Sequence, residues 1–371
     1  MLHLREEVNA RMQKSRKSTI KVRGRAALCW GLIGFAALQL GLGLCMDRWQ
    51  PELRDPEYGY KLMRLRERLR EEPGHPLMLI IGSSRAGLGV NPGVLTAALP
   101  PSSDSPTIFN FALTGSGPFM ELMFLRRLLA AGIHPRWLVI EVLPPLLHQD
   151  DPWGEALWLD TNRLAWEDLP LLWKNTTDCW TRYACWLHAR LAPWSFYRFC
   201  ILSRYAPQWL PLGARQDGWL GMDRSGWIAY HVSSVSSEEY RKGRDFALKQ
   251  YGPALYQFHV SARPDRNMRQ LLDLCRRKQI KPVLLVMPEG AEFRSWYKPE
   301  ARQAIDTYLD GLSREYDIPL IDARSWLADS SFCDSHHLLP SGAKAFSQRF
   351  AQEFLRPLLA GRLMAGNLYW K

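Results

Sequence analysis

No internal repeat and no low-complexity tract interrupts the 371 residues, which excludes a repeat architecture or a chain dominated by disorder. Cysteine is sparse, with seven in all. Cys29 and Cys45 fall inside an apolar run, and the other five form an odd set without metal-ligand or disulfide-framework spacing. Neither a zinc module nor a disulfide-stapled scaffold is indicated, and at least one thiol is free unless it pairs between chains. His148 and Asp150 likewise lack the company a metal needs. No metal and no cofactor is expected.

Charge is missing from Ala26 to Met46. A run of that length, at about 1.5 Å per residue, crosses a hydrocarbon core of about 30 Å as a helix. Acidic residues are scarce before it: residues 1–25 hold eight Lys/Arg against two Glu, so this tail carries over half of the net charge of +11. The excess beside the apolar run, which on composition alone suggests a nucleic-acid partner, reads as a positive-inside signal, with residues 1–25 a cytoplasmic tail and 26–46 a transmembrane helix in contact with lipid. Nucleic acid is not expected as a partner. A cleaved signal peptide is the rival reading, but the segment before the run is long and no small-x-small site closes it. Leu42-Gly43-Leu44-Cys45 is a poor lipoprotein site, with Leu where a small residue belongs. The expected location is the inner membrane, single-pass, with the rest of the chain on the extracytoplasmic side.

With 47% hydrophobic residues, the remainder is long enough for an α/β core plus an insertion. Residues 47–75 are charged, with Leu62, Met63, Leu65 and Leu69 on a rough helical stripe, and read as a stalk or packing helix ended by Pro73-Gly74 and Pro76. Strands are expected at Leu77–Ile81, Thr107–Leu113 and Trp137–Leu143, with a helix over Phe119–Ala131. The pattern resumes with a helix near Asp265–Lys278, a strand Pro282–Met287, a helix Pro299–Tyr316, a short strand Pro319–Ile321 and a helix Ser341–Leu359. Strands alternating with helices imply a parallel sheet covered on both faces, built from residues 76–149 and 266–371. The interruption, 150–265, reads as mainly helical. It holds ten of the sixteen tryptophans, and Trp166, Trp173 and Trp180 recur every seven residues, which places them on one helical face if a single helix carries them. Such a stripe packs on the domain, sits at lipid headgroups or stacks on sugar rings. Trp219 and Trp227, in turn-like Asp217-Gly218-Trp219 and Arg224-Ser225-Gly226-Trp227, are the expected substrate-contacting aromatics.

Chemistry concentrates in two short segments. Gly82-Ser83-Ser84-Arg85 follows the first strand, where open α/β sheets bind ligands. Asp334-Ser335-His336-His337 places a carboxylate three residues before an imidazole, so Asp334 can fix the tautomer of His337 that accepts a proton from Ser84. A helix N-cap is the bland alternative for Ser84, and His336 is the rival base. The Ser84 amide and the backbone at Gly115 are the expected oxyanion donors. Arg85 reads as a substrate-anion clamp or a surface cation, and Glu141 as a hydrogen-bonded structural carboxylate.

On Ile80-Ile81-Gly82-Ser83-Ser84-Arg85, Asn91-Pro92, the stretch from Asn110 to Gly117, Leu284 to Glu289, Ile321-Asp322-Ala323-Arg324 and the closing Asp334 to Ala343, the chain resembles the SGNH (GDSL-like) hydrolase superfamily. It is most similar to a membrane-anchored bacterial branch of uncharacterised proteins related to polysaccharide O-acetylation factors. The resemblance implies a three-layer α/β/α fold of flavodoxin-like strand order, with Ser84 as nucleophile, His337 as base, Asp334 as its orienter and Gly115 as the oxyanion glycine. Two positions depart from the pattern: Ser83 stands where the family has Asp, and Val139-Ile140-Glu141-Val142-Leu143-Pro144 lacks the Gly-x-Asn-Asp whose amide completes the oxyanion hole. An α/β-hydrolase is the nearest rival fold, but its acid arises from a loop apart from the histidine's. The expectation is a serine esterase or O-acyltransferase acting on acylated carbohydrate or a cell-envelope polymer, with a membrane-bound acyl donor protein as a further partner. The alternative is a catalytically silent polysaccharide-binding or assembly subunit.

Overall fold

A computed structural model of the protein describes residues 2–100, 105–148, 155, 159–175, 178–361 and 369–370, apart from the side chains of 2–22 and 369–370. Asp150 and Trp153, and the basic side chains of the tail up to Lys21, lie outside the described residues. The chain opens with one helix, α1 (Leu2–Trp49), followed by α2 (Pro56–Glu71), β1 (Leu77–Ile81), α3 (Ser84–Gly89), α4 (Pro92–Ala97), β2 (Thr107–Asn110), α5 (Pro118–Ala130) and β3 (Trp137–Glu141). Helices α6 (Leu169–Asn175), α7 (Cys179–Leu191), α8 (Pro193–Tyr205) and α9 (Ser237–Tyr256), with several short turns, form the insertion. The second half runs α10 (Ala262–Arg277), β4 (Lys281–Val286), α11 (Ala291–Ser295), α12 (Pro299–Tyr316), β5 (Leu320–Asp322), α13 (Pro340–Phe350), α14 (Arg356–Leu359) and the two-residue β6 (Tyr369–Trp370).

The protein is a mixed α/β structure whose sheet is parallel throughout, in the order β2-β1-β3-β4-β5, with β6 added at the edge. The apolar runs are strands because each is buried along its length: Leu77 to Ile81 are all buried, as are Trp137 to Glu141. Alternation divides β1 between two core clusters. Leu77, Leu79 and Ile81 join one with α5 and α10, while Met78 and Ile80 join the other with α3 and α13. Each such side chain contributes about 1.5–3 kcal/mol by leaving water.

Two expectations change here. Residues 47–75 are not a stalk, because α2 is part of the domain: Tyr58 and Leu65 sit in the larger core cluster, and the fully buried Lys61 ammonium donates to the carbonyls of Asn110 and Gly226, both at 3.0 Å. The tryptophans spaced by seven do not share a helix. Trp166 lies on a 3-10 turn, Trp173 on α6 and Trp180 on α7, and they meet through edge contacts, Trp173 with Trp180 at 5.1 Å and Trp166 with Trp186 at 4.3 Å. The helix expected near Asp265–Lys278 is α10, Ala262–Arg277.

Among the described residues one stretch, Arg23–Trp49, is long and apolar enough to cross a membrane, with a mean hydropathy of 1.8. All seven cysteines are free thiols.

Candidate active site

β1 sits between β2 and β3, so the turn at its carboxyl end opens inside the sheet, one strand from its edge. Gly82 makes that turn with φ of 153°, and a Cβ there would fall 2.5 Å from Cβ of Glu141, so only glycine fits. Ser83, not Ser84, is the N-cap of α3, its Oγ accepting from the Arg85 amide at 3.1 Å. Ser84 is thereby free of capping duty and occupies the first helical position, where its own N–H lies outside the intrahelical ladder.

Three buried side chains hold this short helix in place. Glu141, at the end of β3, accepts through Oε2 from the Ser83 amide (2.7 Å), the Ser83 hydroxyl (3.0 Å) and the Ala86 amide (3.2 Å). It is the hydrogen-bonded structural carboxylate expected of it. Asn110, at the end of β2, donates through Nδ2 to the carbonyls of Ala86 (2.9 Å) and Val90 (2.7 Å). Arg85 departs from both of its expected roles. Its side chain is 1% exposed, it donates to the carbonyls of Met287 and Pro288 at 2.9 and 3.0 Å, and its guanidinium lies 3.5 Å from Glu289. Arg85 therefore ties the Ser84 turn to the end of β4 and is not open to solvent.

The loop after β5 brings the second segment to the same place. Asp334 Oδ1 accepts from the amides of His336 and His337, each at 2.7 Å, which closes the loop on itself. Its Oδ2 is 2.8 Å from His337 Nδ1, and His337 Nε2 is 2.8 Å from Ser84 Oγ. With the Nδ1 proton directed at Asp334, Nε2 is the acceptor for the Ser84 hydroxyl. Burial alone would raise the Asp334 carboxyl, but the two imidazoles and their hydrogen bonds outweigh it and hold it well below the usual carboxylate range. His336 is stacked on Phe293 at 5.4 Å, with its Nδ1 3.2 Å from Asp334 Oδ1. Burial, helped by the neighbouring His337, pushes its imidazole down to about 4, so it stays neutral and supports His337 as a ring contact at 4.0 Å. Asp334, His336 and His337 also fall within the reach of one metal ion, but their ligand atoms include those bonded within the Asp334–His337–Ser84 chain, and the cluster is that site.

A model of an uncharacterised family matches residues 257–359. The match spans the half of the site that carries Asp334 and His337, and leaves Ser84 outside it. No curated protein matches the chain.

The loop after β2 approaches from the other side. The Leu113 amide donates to the Gly82 carbonyl at 2.8 Å, and Gly115, two residues on, has φ of 72°, a left-handed conformation that glycine adopts freely. Its neighbour Thr114 is fixed by Glu57 of α2, which accepts from the Thr114 amide at 2.7 Å and from its hydroxyl at 3.0 Å.

The expected aromatics are placed elsewhere. Trp227 is half-buried and donates from Nε1 to the Leu88 carbonyl at 2.8 Å, and the Asn110 amide donates to the Ser225 carbonyl at 2.8 Å. Trp227 thus anchors a strap beside β2 and α3. Trp219 is half-buried on a 3-10 turn, Gly218–Gly221, and contacts no residue of the triad among the interactions described.

A different part of the insertion does reach the triad. A Cβ on Gly243 of α9 would lie 2.8 Å from Cβ of Asp334, and Tyr251 of the same helix sets its ring edge against His336 at 5.4 Å. Sequence reasoning missed α9. Its signal is Ser236-x-x-Glu239, which forms a reciprocal capping box.

Proposed function

We propose that the chain is a membrane-anchored serine esterase or O-acyltransferase of the SGNH type, with the α/β/α layering and flavodoxin-like strand order of that superfamily. The observation that carries the reading is the unbroken chain of 2.8 Å contacts from Asp334 through His337 to Ser84. Those distances lie within hydrogen-bond reach of a nucleophile, its base and the group that orients the base.

Ser84 Oγ attacks the acyl carbonyl as His337 Nε2 takes its proton. The same proton then passes to the departing alkoxide oxygen, leaving an acyl ester on Ser84. Water or a sugar hydroxyl, deprotonated by His337, attacks that ester and restores the serine. Asp334 keeps the imidazole in the required tautomer and stabilises it while it is charged. The amides of Ser84 and Gly115 are the proposed oxyanion donors, each such donor being worth about 3–4 kcal/mol of barrier in comparable sites. The proposed substrates are acyl esters of carbohydrate or of a cell-envelope polymer, and an acyl donor protein in the membrane is a proposed partner. With the tail in the cytoplasm, the domain faces the extracytoplasmic side of the inner membrane.

A fluorophosphonate probe tests the nucleophile. Labelling of the full-length protein in detergent that disappears in Ser84→Ala and falls in His337→Ala supports the reading. No labelling of the wild-type chain, together with retention on acylated polysaccharide, would instead favour the silent binding subunit, to which the missing third-strand Asn points. Acetate release from a model ester with and without an oligosaccharide acceptor separates the two enzymes, because turnover that requires the acceptor rejects a simple hydrolase.

A further inference from the structure

The corner between α7 and α8 lies beside the apolar part of α1, not above it. The Trp194 amide donates to Gln39 Oε1 at 3.1 Å, and Gln39 is one of the few buried residues of the candidate span. A Cβ on Gly43 would lie 3.4 Å from the Arg190 carbonyl oxygen and 3.8 Å from Pro193 Cγ, so glycine allows the corner to seat closely. From that point α8 follows α1 upward: Met46 and Leu53 share a cluster with Ala189 and Tyr197, with Leu42, Phe196 and Ile201 packed against it.

These contacts fix a depth. Asp47 is the first charge after the apolar run, and Gly43 and Gln39 precede it by four and eight residues, which at 1.5 Å per residue is about 6 and 12 Å further into the span. Arg190 opens the corner at the Gly43 level, yet its guanidinium reaches back to Asp47 at 2.5 Å. That is how a long cationic side chain behaves when its backbone lies deeper than its charge. Arg54 pairs with the same carboxylate at 2.6 Å, so Asp47, Arg54 and Arg190 mark one polar level. Next to them lies a cavity of about 640 Å³ lined by charges of both signs, among them Arg126, Arg190, Asp47 and Glu167. Beyond that level the corner presents Leu191 and Trp194 to the outside, 55% and 44% exposed.

We propose that Leu191–Trp194, between α7 and α8, is a second membrane-contacting element that inserts into the leaflet on the domain's side of the bilayer, with phospholipid as its partner. The inference rests on α1 crossing a bilayer. A depth of about 5–10 Å at the headgroup–acyl boundary is that of interfacial protein segments, and it is continuous with the exposed apolar face of α1, where Leu38, Leu40 and Leu44 are open.

The test places a benzophenone amino acid, singly, at position 191, at 44 as the reference for α1, and at 238 on the exposed start of α9. The full-length protein is reconstituted in vesicles of phosphatidylethanolamine and phosphatidylglycerol and irradiated, and intact mass is read. A phospholipid mass shift at 44 and at 191, with none at 238, is the expected result. A shift at 44 without one at 191 overturns the insertion of the corner while leaving α1 as a span. No shift at 44 overturns the span and the proposal with it, and equal shifts at all three positions also reject the proposal, because the corner is then no closer to lipid than α9.

Discussion

Glu141 shows how much of the site depends on one buried acceptor. Glu141→Ala leaves the Ser83 amide, the Ser83 hydroxyl and the Ala86 amide without their partner, at about 1–3 kcal/mol for each donor left unpaired. A large fall in melting temperature and loss of probe labelling are expected, with Glu141→Gln recovering most of the stability because its carbonyl oxygen still accepts. An unchanged melting temperature in the alanine variant would remove Glu141 from this role. His336 gives a pH signature. Its folded pKa lies near 4, below the unfolded value near 6.5, so the unfolded chain binds the extra proton between these limits. The contribution to stability is whole above about pH 6.5 and is lost as pH falls towards 4, at most about 3 kcal/mol. Denaturation of wild type and His336→Asn across that window should therefore show a steeper acid loss in the wild type, and parallel curves would contradict a neutral buried imidazole. The contact of Asp334, His337 and Ser84 was legible because its signals are local: a serine after an apolar run, a carboxylate three residues before an imidazole. The inward turn of Arg85 was not, since its partners are carbonyls about 200 residues away. A surface cation and a buried tie have the same one-letter code.

At the scale of elements, continuous apolar runs announced the strands within a few residues, because a parallel strand buried on both faces must be apolar at every position. Helix α12 matched its expected bounds, Pro299–Tyr316, for a related reason: proline can open a helix, and Asp317 closes it in the left-handed conformation. The insertion resisted the same approach. A spacing of seven implies a shared helical face only when one helix spans all the residues concerned, and here Trp166, Trp173 and Trp180 lie on three different elements. Helix α9 tests whether the insertion serves the triad. Gly243→Leu drives a side chain into Asp334, so on the proposed mechanism a drop in kcat for a model ester is expected, with a smaller change in KM, because the partner of His337 moves. Wild-type kcat in a variant that folds normally would show that α9 only covers the loop.

For the whole molecule, the packing of α7 and α8 on α1 predicts how a shortened chain behaves. Removing residues 1–46 uncovers Ala189, Phe196, Tyr197 and Ile201 while leaving Leu191 and Trp194 in place. Such a chain should still float with phosphatidylethanolamine–phosphatidylglycerol vesicles and be released by detergent in preference to salt. A monomer indifferent to vesicles would show that the full-length protein is held by α1 alone. The role of α2 has a mechanical consequence. Only Gln50 to Asp55 separate α1 from α2, Arg54 is bonded back to Asp47 and to the Gly43 carbonyl, and Lys61 locks α2 to the sheet. The domain is bolted to α1, not leashed to it, so under the proposed anchoring Ser84 is held at one altitude over the lipid. On the proposed reading, ester groups must be delivered to that altitude, because the domain cannot swing out to graze on a distant polymer.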